Sequence, residues 1–463
     1  MSDRKNVNSK LGRIAAIVVS DLFGRYSYQI RPTGTGGSAP RLILLHGPNG
    51  AGKTTILQLM RHLMGPATNA GHRSYLARTA FRRFEVEFDD GFALKAVRSG
   101  SAPGPYKLIA QQGDLELLSL DVKVDPDLTV RSDRSDVLGL EWASVLEQYQ
   151  RNGRRKPVNA KPTMAFYEEI LTRHKFNPLY LADDRTLYSD DEELLRRRGG
   201  RLRIEGDRPP SLAEIAEREL MAAIDRVNDL VRSLTLGGQR TGSETSHDVY
   251  VRVLRQLAGS VEQNPSADKG EVRAEDRLAD LRDLAPSYEE FGLAAPLDYP
   301  EMLKLLKSVK RAERQQLAES IISPYLESLE ARYEGLAEAE RVLLSLVPTI
   351  NQFLGDKKVH FSPREGLTVL TDDGEAIRPT SLSSGERQLL MLLCTTLLAS
   401  QSTRLFIIDE PELSLSVGWQ RNILDALITV AGESALQFVV ATHSIEIMTG
   451  HFDSLIELNN IDA

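Results

Sequence analysis

The chemistry-bearing residues of this chain fall into four short clusters. The first is His46-Gly47-Pro48-Asn49-Gly50-Ala51-Gly52-Lys53-Thr54-Thr55. Its spacing, G-x-x-x-x-G-K-[ST], is that of a loop that wraps phosphate. Gly47, Gly50 and Gly52 let the backbone curl until successive N–H groups face phosphate oxygens, with Pro48, Asn49 and Ala51 completing the arc. Lys53 adds a point charge for the β- and γ-phosphates, and the Thr54 hydroxyl is placed to ligate Mg²⁺. The second cluster, Asp409-Glu410, sets two carboxylates at the end of the apolar run Leu405–Ile408. The third, Ser383-Ser384-Gly385-Glu386, heads a long apolar stretch. The fourth is Thr442-His443-Ser444, directly after Gln437–Ala441.

Regular elements must hold these clusters. Leu42–Leu45 reads as a buried strand entering the loop, and Ile56, Leu57, Leu59, Met60 and Leu63 as the helix leaving it. The N-terminus of that helix offers unpaired donors and a partial positive charge. Leu405–Asp409 and Gln437–Ala441 read as further buried strands, so both carboxylates and His443 stand at strand ends. Ligands of open α/β sheets bind there. Leu389–Leu398 reads as the helix that follows the third cluster.

At 463 residues, 41% apolar and 26% charged, the chain has the composition of a soluble globular protein. Its 57 basic and 65 acidic residues, net charge −8, leave no global basic footprint, so any nucleic-acid contact must be local. The single cysteine, Cys394, lies in an apolar run and predicts a buried small hydrophobe; one cysteine excludes an internal disulfide and a Cys-only metal site. Met1–Lys10 is polar, and no stretch reaches membrane-spanning length, so a cytoplasmic protein without a membrane partner is expected.

Taken in order, residues 1–125 predict a strand-rich lobe. Arg13–Val19 and Tyr26–Ile30 flank a turn. Phe81–Asp89 and Phe92–Arg98 alternate around Asp90-Gly91, a hairpin that Tyr106–Ala110 and Leu115–Leu120 can extend. Residues 126–355 predict a mainly helical insertion, with 178–185 as a candidate core strand and Ser211 with Glu214 as a capping box. Arg151–Lys156 and Arg196–Arg203 are basic runs, either solvated surface or a phosphate-backbone contact. From Ile322 to Ile350 apolar residues recur every three or four positions, up to a kink or a junction of two helices at Pro348. That stripe packs on its own domain or forms a seam between subunits. Residues 356–463 predict a second lobe.

Together the four clusters resemble those of the ABC-type ATPases: a P-loop at Gly47–Thr54, an L-S-x-G-E signature at Leu382–Glu386, a Walker B strand at Leu405–Glu410 and a switch histidine at His443. The large insertion makes the chain similar to the RecF/SMC/OLD branch rather than to transporters. The wording Leu-Ser-Ser-Gly-Glu, Asp-Glu-Pro-Glu-Leu-Ser-Leu and Ala-Thr-His-Ser resembles that of stand-alone ATPases of bacterial anti-phage systems of the Septu and PARIS type. The resemblance is specific over residues 11–120 and 357–463. It implies an α/β fold: an ABC-type ATPase head, a P-loop sheet with helices plus an antiparallel β-lobe, interrupted by the helical insertion. It also implies ATP and Mg²⁺, with Gly47–Thr55 on the nucleotide, Thr54 and Asp409 on the metal, Glu410 polarising the attacking water and His443 sensing the γ-phosphate. Ser383, Ser384, Gly385 and Glu386 would meet the γ-phosphate of a second subunit, in a homodimer or higher oligomer joined through ATP.

The expected role is a sensor or scaffold ATPase that controls a separately encoded effector protein, a nuclease or toxin, with nucleic acid as a further candidate partner. A RecF-like DNA-repair ATPase is the alternative, and a transporter's nucleotide-binding subunit a weaker one. OLD-type nucleases continue into an acidic domain beyond the switch histidine, whereas about twenty residues follow His443 here; no nuclease activity of the chain's own is expected. The Q-loop glutamine stays open among Gln111, Gln112 and the polar end at Asp183-Asp184-Arg185. Phe23, Tyr26 and Tyr28 are adenine-platform candidates, with core packing favoured for each. Ser416 stands where related ATPases often carry a histidine.

Overall fold

A computed structural model describes residues 12–32, 39–66, 71–130, 163–174, 176–189, 217–238, 274–308 and 312–461. The basic runs Arg151–Lys156 and Arg196–Arg203 and the Ser211–Glu214 box lie outside the described residues. The chain forms two compact units, one from Met1–Glu219, Ala399–Leu427 and Glu433–Ala463, the other from Leu220–Leu398 and Ile428–Gly432. In order, its elements begin with β1 (Ile14–Leu22), β2 (Tyr26–Ile30), β3 (Leu42–His46), α1 (Lys53–Met64) and α2 (His72–Arg78). Next come β4 (Arg83–Phe88), β5 (Phe92–Val97), β6 (Tyr106–Gln112), β7 (Leu115–Val122), α3 (Met164–Arg173), β8 (Leu179–Leu181) and β9 (Leu187–Tyr188). Then follow α4 (217–238), α5 (Ala274–Glu290), α6 (Tyr299–Ser308), α7 (Ala312–Asn351), β10 (Lys357–Ser362), β11 (Gly366–Thr371), β12 (Ala376–Ile377) and α8 (Ser384–Ser402). The chain ends through β13 (Leu405–Asp409), α9 (Val417–Gln420), α10 (Ile423–Ala431), β14 (Gln437–Ala441), α11 (Ile445–Thr449) and β15 (Leu455–Glu457).

The first unit holds two six-stranded sheets. One is antiparallel, in the order β2-β1-β4-β5-β6-β7. Its β4–β5 hairpin turns through Gly91 at φ +83°, as the Asp-Gly pair predicts, and Phe84, Val86, Phe92 and Leu94 point into the core. The other has the order β15-β3-β14-β13-β8-β9, parallel except for the edge strand β9. Its central strands carry unbroken apolar runs, Leu42–Leu45, Leu405–Ile408 and Phe438–Ala441, because both of their faces are covered, as parallel sheets require. Helix α1 packs on β13 and β14 of the parallel sheet and on β5 of the antiparallel one. That double contact explains why Ile56, Leu57, Leu59, Met60, Leu63 and Met64 are all fully buried, more than the single stripe of a surface helix. The short run at 178–185 supplies β8, paired parallel to β13.

In the second unit β10, β11 and β12 form a small antiparallel sheet. The stripe on α7 packs within this unit: Leu326, Tyr333, Leu336, Leu343, Val347 and Ile350 are buried, and α5 lies against them. Polar contacts fix that pairing, with Arg277 gripping both carboxylate oxygens of Glu330 at 2.8 and 2.6 Å and the Tyr288 hydroxyl donating to the Tyr333 carbonyl at 3.2 Å; from α6, the Tyr299 hydroxyl lies 2.7 Å from that of Tyr333. One helix runs through Pro348 and ends three residues beyond it, so two helices do not meet there. α4 and α7 touch backbone to backbone at Gly238 and Gly335. A β-carbon on Gly238 would lie 2.0 Å from the Gly335 carbonyl oxygen. Cys394 on α8 is buried, and burial pushes its thiol up to about 12.

Candidate nucleotide site

Strand order brings the clusters of the first unit together. β14 lies between β3 and β13, and its register aligns Leu45, Ala441 and Asp409 across the sheet. The residues that leave these three strands therefore share one edge. After β3 the loop turns through Gly50 (φ +82°) and Gly52 (φ +87°), a backbone region that favours glycine. Gly52 also has no room for a side chain: a β-carbon there would lie 2.7 Å from Leu22 Cδ2. From beneath, the Tyr28 hydroxyl donates to the Ala51 carbonyl at 3.0 Å, and Tyr28 is buried, a structural support rather than a platform. Phe23, by contrast, is 51% exposed and lies beside Gly52.

Lys53, the first residue of α1, folds over its own loop. Its Nζ donates to the Gly47 carbonyl at 2.9 Å and the Pro48 carbonyl at 3.4 Å, and it lies 2.7 Å from His443 Nε2. Burial lowers its pKa, opposed by the charges of Glu410, Asp409 and Glu412. His443 Nε2 also faces Glu410 Oε1 at 3.2 Å, so one ring nitrogen serves a cation and a carboxyl in turn. Burial, then the neighbouring Lys53, lowers the His443 pKa and favours the neutral ring.

The two carboxylates differ in setting. Asp409 is buried, and burial pushes its pKa up to about 6, with Asp183 acting in the same direction and the Thr54 hydroxyl, Tyr180 and Lys53 against it. Oδ2 receives the Tyr180 hydroxyl at 3.4 Å, while Oδ1 is buried without a hydrogen-bond partner. An orphaned carboxylate oxygen beside a threonine hydroxyl fits a hard cation completed by phosphate oxygens and water. Glu410 follows in a left-handed conformation, φ +51°, with its N–H donating to the Ala441 carbonyl at 2.9 Å. Burial pushes its pKa up to about 8, reinforced by the neighbouring carboxyl of Glu412 and by the charge of Asp409. A left-handed non-glycine residue is uncommon and is held here by its place in the sheet.

Sequence reasoning missed Glu412. Its Oε1 accepts from Thr442 Oγ1 at 2.6 Å, the His443 N–H at 2.7 Å and the Ser444 N–H at 2.9 Å. It also missed Tyr180 on β8, whose apolar neighbours disguised a hydroxyl aimed at Asp409. Of the open Q-loop candidates, Asp183 sits close enough to Asp409 to raise its pKa, and Arg185 reaches the Ser414 hydroxyl. Gln112 instead donates to the Asp90 carbonyl at the β4–β5 turn. Ser416 starts the short helix α9 without a side-chain cap.

The Ser383–Glu386 cluster lies in the second unit and opens α8 as a capping box. The Ser383 N–H donates to Glu386 Oε2 at 2.7 Å, and the Glu386 N–H returns to Ser383 Oγ at 3.3 Å. Lys357 on β10 grips Glu386 Oε1 at 2.8 Å. Glu386 is thus engaged in the cap and an ion pair, and Ser384 and Gly385 form the first turn.

Among the described residues no helix is long and apolar enough to cross a membrane. No curated protein sequence matches the chain. Among solved structures it is similar to an Smc head domain with an extended coiled coil bound to the C-terminal domain of ScpA, from Pyrococcus furiosus. The identity there is 13%, the TM-score 0.39, and 96% of this chain and 94% of that one are covered. A second SmcHead, bound to the C-winged helix domain of ScpA, matches at 10% identity and TM-score 0.37, covering 94% and 92%. At these scores neither likeness carries weight. The model of the family described as "AAA domain, putative AbiEii toxin, Type IV TA system" matches residues 42–449, from the first residue of β3 to the last of α11. That span holds every cluster above and most of the chain, and the chain belongs to this family of ABC-like P-loop ATPases.

Proposed function

We propose that the chain binds ATP with Mg²⁺ on Gly47–Thr55 and hydrolyses it, as the ATP-dependent sensor or scaffold subunit of a bacterial anti-phage system that controls a separate nuclease or toxin. The observation that carries the ATPase part is the convergence of Lys53, Asp409, Glu410 and His443 from three adjacent strand ends. Lys53 would exchange the Gly47 and Pro48 carbonyls for phosphate oxygens. Thr54 and Asp409 would hold Mg²⁺, whose charge offsets that of the β- and γ-phosphates. Glu410 would take the proton of the attacking water, and His443 would follow the γ-phosphate in place of Lys53. Ser383, Ser384 and Gly385 at the start of α8 would cap the γ-phosphate of a second copy. The family description, which names a toxin and a toxin–antitoxin system, supports a place in a two-component system.

The test is Glu410→Gln in the full chain. It keeps shape but loses the base, so turnover should fall by about 10²–10⁴-fold while nucleotide binding persists and an ATP-joined oligomer lasts longer on size exclusion. Lys53→Ala should instead lose ATP binding by calorimetry. Incubation with duplex DNA, single strands and tRNA should give no cleavage. Wild-type turnover in Glu410→Gln would move the catalytic role elsewhere.

A further inference from the structure

We infer that Glu412 is a positioning residue that sets the switch histidine from the Walker B side of the site. The inference rests on the ATPase reading above and assigns a residue that the four clusters do not contain. The geometry is that of a clamp. Beyond Ala441, the last residue of β14, the chain has left the strand ladder, and its N–H groups need new acceptors. One oxygen of Glu412 takes three donors from three consecutive residues: the Thr442 hydroxyl, the His443 N–H and the Ser444 N–H. Its other oxygen is buried without a hydrogen-bond partner, so the side chain is not held from elsewhere through that atom. Ser444 completes the tie. Its hydroxyl donates to Gln420 Oε1 at 2.7 Å and accepts from the Ile447 N–H as the cap of α11.

The segment from Glu412 to Gln420 is therefore bound at both ends to the segment carrying His443. A shift of Glu410 at the reacting end of β13 passes through Pro411 and Glu412 into the His443 backbone. His443 in turn touches both Glu410 and Lys53. The requirement on Glu412 is reach, an acceptor oxygen at the right distance, rather than charge. An amide carbonyl offers the same reach with two lone pairs, and it holds its donors less strongly than a carboxylate does.

Two substitutions separate these properties. Glu412→Gln keeps the reach and drops the charge; Glu412→Asp keeps the charge and withdraws the oxygen by one methylene. Each is made in the full chain. The first readout is amide hydrogen exchange over 437–450 without nucleotide, and the second is kcat and KM for ATP with Mg²⁺. Glu412→Asp should expose the His443 and Ser444 amides to faster exchange and lower kcat by about 10²-fold, the usual cost of a misplacement near 1 Å. Its KM should stay within about threefold, because Lys53 and the loop are untouched. Glu412→Gln should stay closer to the parent than Glu412→Asp in both exchange and kcat; the charge it loses is one that raises the Glu410 pKa. The reverse pattern, with Glu412→Asp normal and Glu412→Gln inactive, would overturn the proposal and make Glu412 a charge-bearing participant. Unchanged exchange in both variants would overturn it as well. Should the parent chain hydrolyse no ATP, the ATPase reading fails, while the exchange readout still decides the clamp.

Discussion

His62 and His72 meet through their Nδ1 atoms at 2.8 Å, both buried, with Tyr75 stacked on the His62 ring. Burial, then the charge of His72, Arg61 and Arg73, pushes the His62 pKa down to about 2. The folded value lies below the ordinary 6.5, so the unfolded chain binds the extra proton first. The stability of this fold is then complete above pH 6.5 and is lost as pH falls below it, at about 1.4 kcal/mol per pH unit for one group. Urea midpoints measured between pH 7 and 5.5 should fall, and His62→Gln, which can still bond His72, should flatten the slope. An identical slope in the variant would remove His62 from the account. Nothing in the sequence marks this pair, because ten positions of chain separate the rings and only the fold closes the gap. Lys53, Asp409 and Glu410 were legible for the opposite reason: each sits in a short run whose spacing has chemical meaning on its own. Glu412 stands in such a run too, but the groups it serves lie 30 and more residues on.

The helix α8 shows what one element can hide. Leu382–Glu386 reads as an anion site, and the same residues build the cap that starts the helix. Ser383→Ala removes the side-chain acceptor of that cap and should cost about 1 kcal/mol. Glu386→Gln can keep the reciprocal bond to the Ser383 N–H, and Lys357 keeps its second partner, Asp356 Oδ1 at 3.3 Å, so its effect should be smaller. Thermal unfolding of the two variants, with each change also tested in a Lys357→Ala background, checks the order. A larger loss for Glu386→Gln would put the stability in the ion pair instead. Strands β3, β13 and β14 were readable because burial on both faces leaves unbroken apolar runs, and the β4–β5 hairpin because its face alternates. β8 is only three residues long, yet the run at 178–185 marks it as a strand; its parallel pairing with β13 is what the fold added. On α7 the apolar period gave the helix but not its partner; α5 supplied that through Arg277, Tyr288 and Ser287.

At the scale of the whole chain, one feature of the parallel sheet governs how the protein must be made. β3 has two neighbours, β14 and β15, and both come from the far end of the sequence. His46 and the Thr442 carbonyl that it meets are 396 residues apart. At ordinary synthesis rates the strand Leu42–Leu45 therefore waits roughly 20 to 80 s on the ribosome with both edges open. An apolar strand with unpaired edges is a template for aggregation, so the nascent chain should engage holding chaperones throughout that interval. A chain stopped before Gln437 should go to the insoluble fraction, and a separately expressed 433–463 segment should recover part of it by supplying β14 and β15 in trans. Soluble, monodisperse 1–430 would show that the antiparallel sheet shelters β3 unaided. The phosphate loop, near the start of the chain, is thus among the last parts of the molecule to acquire its shape.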